Sequence, residues 1–222
     1  MALYLEHFGL SEAPFRITPH TDFFFPGAER GARRVTESEH WPFPRSVSPD
    51  GTLLLAEEQH PVTSYDIWQV DTAGRGREPL LTGSTDESAP DFSPDGKFFV
   101  YQSNESGRGE IYVQTFPPSG RKWMISDAGG LRPRWSPRGD EIFYRNGRQL
   151  LTVKVTIPDF SAGQPRVLFE GDYAAEYDVS ADAQRFVMMR ASPRAGEARL
   201  TVVLGWPAEL KRLSALSTTT LR

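Results

Sequence analysis

Four runs in this chain are apolar almost without a break: Thr52-Leu-Leu-Leu-Ala-Glu57, Lys97-Phe-Phe-Val-Tyr-Gln-Ser103, Glu141-Ile-Phe-Tyr-Arg-Asn146 and Arg185-Phe-Val-Met-Met-Arg-Ala191. Neither the helical spacing nor strict alternation describes them. Continuous short apolar runs predict strands that are covered on both faces. Each run follows the same kind of turn: Ser48-Pro-Asp-Gly51, Ser93-Pro-Asp-Gly96, Ser136-Pro-Arg-Gly139 and the degenerate Ser180-Ala-Asp-Ala183. The turns start 45, 43 and 44 residues apart. A period of this length with strand signals predicts a propeller or solenoid. A sandwich would repeat strands every 8 to 12 residues without the longer period.

The second repeat shows the unit most clearly. Ala89-Pro-Asp-Phe-Ser93, Lys97 to Ser103, Glu110-Ile-Tyr-Val-Gln-Thr-Phe116 and Arg121-Lys-Trp-Met-Ile-Ser126 read as four strands, the content of one propeller blade. The predicted fold is all-β, a partial β-propeller of about four four-stranded blades over 42–83, 87–127, 130–171 and 173–206. Residues 1–41 read as an irregular segment and linker. Residues 207–222 read as a short helix and tail, with Pro207 at the first helical position and leucines at helical spacing. The fourth blade lacks a fourth strand. Serine suits the first position of a type I turn, proline presets φ at the second, and glycine accepts positive φ at the last. The turn aspartate is therefore a turn residue and not a catalyst. Without its proline and glycine, the fourth turn is expected to be looser.

Composition narrows the function. The net charge of −4 gives no basic footprint for nucleic acid. No apolar run is long enough to span a membrane, and the first residues lack the basic and apolar regions of a signal peptide. This leaves the compartment open: cytoplasmic by default, extracytoplasmic if the chain derives from a receptor kinase. Absence of cysteine excludes disulfides and a thiol nucleophile. His7, His20, His40 and His60 have no metal-ligand spacing. No G-x-S-x-G nucleophile elbow occurs. Asp86, Glu87 and Asp91 read as solvated loop charges. No catalytic, cofactor or metal residue is assigned.

The repeats resemble TolB-type, or PD40, propeller repeats, which are related in shape to WD40. Asp66-Ile-Trp68, Tyr101 to Gly107, Glu110 to Pro117, Pro133-Arg-Trp-Ser136 and the closing LTVVLGWPAELKRL resemble, more narrowly, the C-terminal propeller of bacterial serine/threonine protein kinases. This resemblance covers about 42–213. It implies a protein-binding or sensor propeller of the six-bladed type, here incomplete, and not a catalyst. Residues 1–31 resemble the N-terminus of ExeA-like secretion ATPases, but no GxxxxGK[ST] follows to cradle phosphates. A periplasmic TolB-like envelope component and a secretion-associated ATPase-related protein without its nucleotide site are the alternative readings.

In a propeller, the Ser-Pro-Asp-Gly turns gather on one face. The opposite face then carries Glu87, Asn104, Glu105, Arg108, Arg132, Arg134, Tyr173, Glu176 and Tyr177. Of these, Glu87, Arg108, Arg132, Arg134, Tyr173, Glu176 and Tyr177 are the candidate contacts for a protein or peptide ligand. An open arc would expose apolar residues at both ends: Leu53, Leu55, Ile67 and Trp68 on the first blade, Phe186, Met188, Val202 and Leu204 on the last. About half of each set would point outward. Three outcomes follow: the N-terminal aromatic segment with Phe23-Phe24-Phe25 folds over one open face, two chains pair through the open edges to complete a ring, or the fragment is marginal; one of the latter two is expected.

Overall fold

In the computed structural model, which describes residues 22–27, 31–37, 41–61, 64–190 and 199–203, every one of the four turns closes a hairpin. The amide of the fourth residue donates to the serine carbonyl: Gly51 to Ser48 at 2.8 Å, Gly96 to Ser93 at 2.9 Å, Gly139 to Ser136 at 2.8 Å and Ala183 to Ser180 at 2.7 Å. The fourth turn is thus not looser than the others. Ala183 adopts the left-handed backbone that glycine takes elsewhere, with φ of 53°. Ser180 and Asp182 supply the usual side-chain hydrogen bonds, which hold the turn without proline or glycine.

A two-stranded hairpin, β1 (Asp22–Gly27) and β2 (Gly31–Glu37), precedes the blades. Part of the segment expected to be irregular is therefore strand. Its aromatic and β-branched residues favour extended backbone, and Pro26 and Gly27 precede its turn. Blade one is β3 (Trp41–Val47), β4 (Leu53–His60), β5 (Ser64–Asp71) and β6 (Arg77–Leu81). Blade two is β7 (Glu87–Phe92), β8 (Phe98–Ser103), β9 (Glu110–Thr115) and β10 (Lys122–Met124). Blade three is β11 (Leu131–Trp135), β12 (Glu141–Asn146), β13 (Gln149–Thr156) and β15 (Arg166–Glu170), with a short β14 (Ser161–Ala162) that also pairs β13. Blade four is β16 (Tyr173–Val179), β17 (Phe186–Arg190) and β18 (Arg199–Val203). All pairings are antiparallel. The helix expected at 207–216, and most of the ATPase-like stretch, lie outside the described residues. Among the described residues, no helix is long and apolar enough to cross a membrane.

The first strands of successive blades adjoin one another, β3 to β7, β7 to β11 and β11 to β16, so they are the innermost strands of an arc. The core lies between blades. Leu55 and Ile67 of blade one pack with Phe92, Phe99 and Tyr101 of blade two. Val100 and Val113 of blade two pack with Trp135, Ile142 and Tyr144 of blade three. Phe143 and Leu150 of blade three pack with Tyr177, Val179, Phe186 and Met188 of blade four. The rings of Phe143 and Phe186 are both fully buried and meet edge to face at 5.0 Å. Each such ring contributes about 2 to 3 kcal/mol by burial alone.

The two ends of the arc differ, contrary to the expectation of two exposed faces. On blade one, Leu55 and Ile67 turn inward, Leu53 packs beside them, and Trp68 stacks under Arg77 at 4.3 Å. Leu54, Ala56 and Val70, on the other face, are also buried, and β2 lies beside β5. On blade four, Phe186 and Met188 turn inward, whereas Val187 and Met189 are 37% and 47% exposed. The exposed pair follows from alternation along β17, which sends successive side chains to opposite faces.

Candidate functional site

Each innermost strand carries an irregularity at one repeat position, between Pro44 and Ser46, Ser88 and Asp91, Leu131 and Arg134, and Tyr173 and Tyr177. In blades two and three, the residue there has left-handed backbone: φ is 51° at Ala89 and 52° at Arg132. Each precedes a proline, which has no N–H to offer the ladder. A bulge of this kind leaves a residue unpaired and re-aims its side chain. For Arg132, the new direction is toward blades one and four.

Two sets of polar contacts join the blades at repeat-equivalent positions. In the first set, Glu57 Oε2 accepts from the Ala89 amide at 2.6 Å, and Gln102 Oε1 accepts from the Arg132 amide at 3.4 Å. In the second, Ser46 Oγ accepts from the Phe92 amide at 3.1 Å, and Asp91 Oδ2 accepts from the Trp135 amide at 2.7 Å. At the joint between blades three and four, the equivalent positions hold Arg145 and Arg134. Both are donors. Arg145 therefore reaches the carbonyls of Gly147 at 3.0 Å and Tyr173 at 3.3 Å, and the Val179 amide donates to Asp178 Oδ1 at 2.8 Å.

A line of alternating charge crosses the innermost strands and reaches Glu57 on β4. Buried Glu57 pairs with Arg45 and faces Arg132 at 3.8 Å; Arg132 Nε meets Glu176 Oε1 at 3.0 Å. Nearby, Arg134 Nη1 lies 3.9 Å from Asp91 Oδ1. Burial pushes the Asp91 carboxyl above its ordinary range, and Arg134 opposes the shift. Burial also pushes the Tyr177 hydroxyl well above the usual tyrosine range. Arg45, Ala89, Arg132, Arg134, Glu176 and Tyr177 line a shallow cleft whose free volume is about 10 Å3, the room of one water.

Of the residues singled out in the sequence, the fold brings Arg132, Arg134, Glu176 and Tyr177 together here. Three others lie apart. Arg108 braces its own blade, donating to Glu110 Oε1 and to the Asp127 carbonyl, both at 2.5 Å. Tyr173 packs against the Phe169 ring. Glu87 is buried beneath Thr85 and Ser103, and burial pushes its carboxyl upward. Glu87 and the largely buried Asp91 are therefore not solvated loop charges, because β7 carries them between two blades. Asp86 is half-buried and accepts from Ser64 Oγ at 3.2 Å, and burial pushes its carboxyl upward, so it too is not a solvated loop charge. Glu105 pairs with Lys122 at 2.6 Å, and Asn104 accepts from the Asp86 amide at 3.0 Å. Arg45, Glu57 and Ala89 belong to the site and escaped the sequence reading. The repeat register makes Pro44 and Ala89 equivalent to Arg132, whereas Arg45 and Glu57 have no such signal.

No family model matches the chain. The Tol-Pal system protein TolB of Xanthomonas oryzae pv. oryzae is 32% identical over 109 residues, 48% of this chain and 24% of the relative. The chain spans no more than about a quarter of the length of the curated relatives first matched. The crystal structure of TolB from Acinetobacter baumannii superposes with a TM-score of 0.63 at 19% identity, over 85% of this chain and 48% of that one. Oligogalacturonate lyase in complex with manganese superposes with a TM-score of 0.62 at 10% identity, over 87% and 59%. At such identities, the structural likeness shows the fold alone. Repeats, blades and relatives agree on that fold: this chain carries a TolB-like β-propeller architecture.

Proposed function

We propose that this chain is a non-enzymatic propeller module that binds a protein or peptide segment across the cleft between its innermost strands. The observation that carries this reading is the make-up of the cleft. Three arginines, Glu176 and Tyr177 converge there from blades one, three and four, and arginine and tyrosine are the side chains that dominate protein interfaces. A drug-sized ligand needs a pocket of about 300 Å3 or more, far beyond the free volume at this floor. A peptide lying over the mouth needs no such depth.

Two settings suit such a module. The names of the curated relatives support a component of an envelope assembly like the Tol-Pal system. The sequence resemblance of 42–213 supports the sensor half of a receptor-like kinase. A secretion-associated, ATPase-related role rests on residues 1–31 alone. The same reading makes the outer face of blade four, with Val187 and Met189, a surface for self-association. The binding function is tested by selecting peptides from a random library on the full chain. The affinity of the best binder is then measured by calorimetry, with the original protein and with Arg132→Glu. We expect at least a tenfold loss, about 1.4 kcal/mol. An unchanged affinity, or no saturable binder, would overturn the reading.

A further inference from the structure

The joint between blades three and four differs in kind from the two before it. At the first joint, a carboxylate oxygen of Glu57 receives the amide of the next innermost strand; at the second, the amide oxygen of Gln102 does so. The third joint has Arg145 at that position, which brings donors where the others bring an acceptor. Arg145 is 2% exposed, and its Nε and Nη1 have no partner. Its two hydrogen bonds go to carbonyls, and among the described residues no carboxylate pairs with it. Tyr177 is 4% exposed, and its hydroxyl also has no partner. It packs in this joint, 6.3 Å from the Phe186 ring, and it lines the cleft. A buried charge without a counter-ion is costly, and unmade buried donors add to that cost.

We infer that this joint is a carboxylate-binding site, in which one carboxylate oxygen of a bound acidic peptide supplies the acceptor that the Tyr177 hydroxyl lacks, beside the buried charge of Arg145. The cleft, which Tyr177 lines and Arg145 does not, has room at its floor for one oxygen atom. The inference rests on the proposed peptide-binding function and adds the chemistry of the ligand: a glutamate or aspartate side chain, or a C-terminal carboxylate.

The test uses the full chain and sodium acetate as probe, titrated against sodium chloride at fixed ionic strength, with the melting temperature as readout. Acetate is expected to raise the melting temperature of the original protein. Tyr177→Phe, which keeps the ring in the core, and Arg145→Met are expected to weaken the apparent affinity at least tenfold. If Arg145→Met does not fold, Tyr177→Phe carries the comparison alone. No rise with acetate, or the same rise in both proteins, would overturn the inference. A peptide with an internal glutamate and an amidated end, set against one with a free C-terminus and no acidic side chain, separates the two sources of carboxylate. Selected peptides that bind without any effect of Tyr177→Phe would remove this inference and leave the binding function standing. Acetate stabilisation without any peptide binder would leave the carboxylate site standing and remove a peptide as its ligand.

Discussion

The serine of each turn does two jobs with one hydroxyl. In the first two turns, Oγ donates to the turn aspartate at 2.6 Å and accepts from the first strand amide, Leu53 at 2.9 Å and Phe98 at 3.0 Å. In the third turn, Arg138 stands where the aspartate would be, and Ser136 Oγ donates to Asp140 at 3.0 Å instead. The glycines are required for their backbone, with φ of 73° at Gly51 and 69° at Gly96. A Cβ on Gly51 would meet nothing, whereas one on Gly96 would lie 3.2 Å from Pro49 Cδ of the preceding turn. Gly51→Ala should therefore cost about 1 kcal/mol, for the left-handed backbone alone, and Gly96→Ala should cost more, as read from urea midpoints. Glu87 makes a second test at this scale. Its carboxyl is pushed up chiefly by burial, so the folded protein keeps its proton at pH values where the unfolded chain has lost it. The stability owed to this group is present in acid and falls as pH rises above the unfolded value of about 4.3. Compared with the original protein, Glu87→Gln should gain stability between pH 4 and pH 7. Parallel curves for the two proteins would contradict this.

At the scale of the blade, position in the repeat decides what a side chain does. Glu57, Gln102 and Arg145 are equivalent, and all three bridge to the next blade. Glu57 is buried and carries both an arginine and a backbone amide. Glu57→Gln should cost about 3 kcal/mol, because it strands Arg45. Glu176→Gln, at a side chain 40% exposed, should cost under about 1 kcal/mol. Equal costs would mean that the charges do not join the blades. The strands themselves were legible in the sequence, because continuous apolar runs and turn chemistry act locally. Arg132, Arg134, Glu176 and Tyr177 were legible only as members of a larger set, because the period puts them on one face together with Glu87, Arg108 and Tyr173, which the fold sets apart. Arg45 and Glu57 were not, since their roles depend on side chains reaching across the arc. Nor was the fourth turn: an alanine at positive φ is held by surrounding hydrogen bonds and core packing that no local preference reports. Glu87 and Asp91 looked like loop charges because burial between blades has no local signature.

For the whole molecule, the asymmetry of the arc has consequences. The outer face of blade one is covered at Leu54, Ala56 and Val70, while blade four shows Val187 and Met189. In blades one to three, the residues equivalent to Val187 are Leu55, Val100 and Phe143, each fully buried against the next blade. Light scattering should therefore show association that grows with concentration, and Val187→Ser with Met189→Ser should reduce it. A monomer at every concentration would contradict this. The cleft sets which face of the propeller meets the ligand. The most direct measurement is amide hydrogen exchange of the full chain, with and without its best selected peptide. Slowed exchange is expected at 88–91, 131–134 and 174–177, the stretches of the innermost strands around the cleft. Slowed exchange confined to the turns at 48–51, 93–96 and 136–139 would place the ligand on the other face and contradict this.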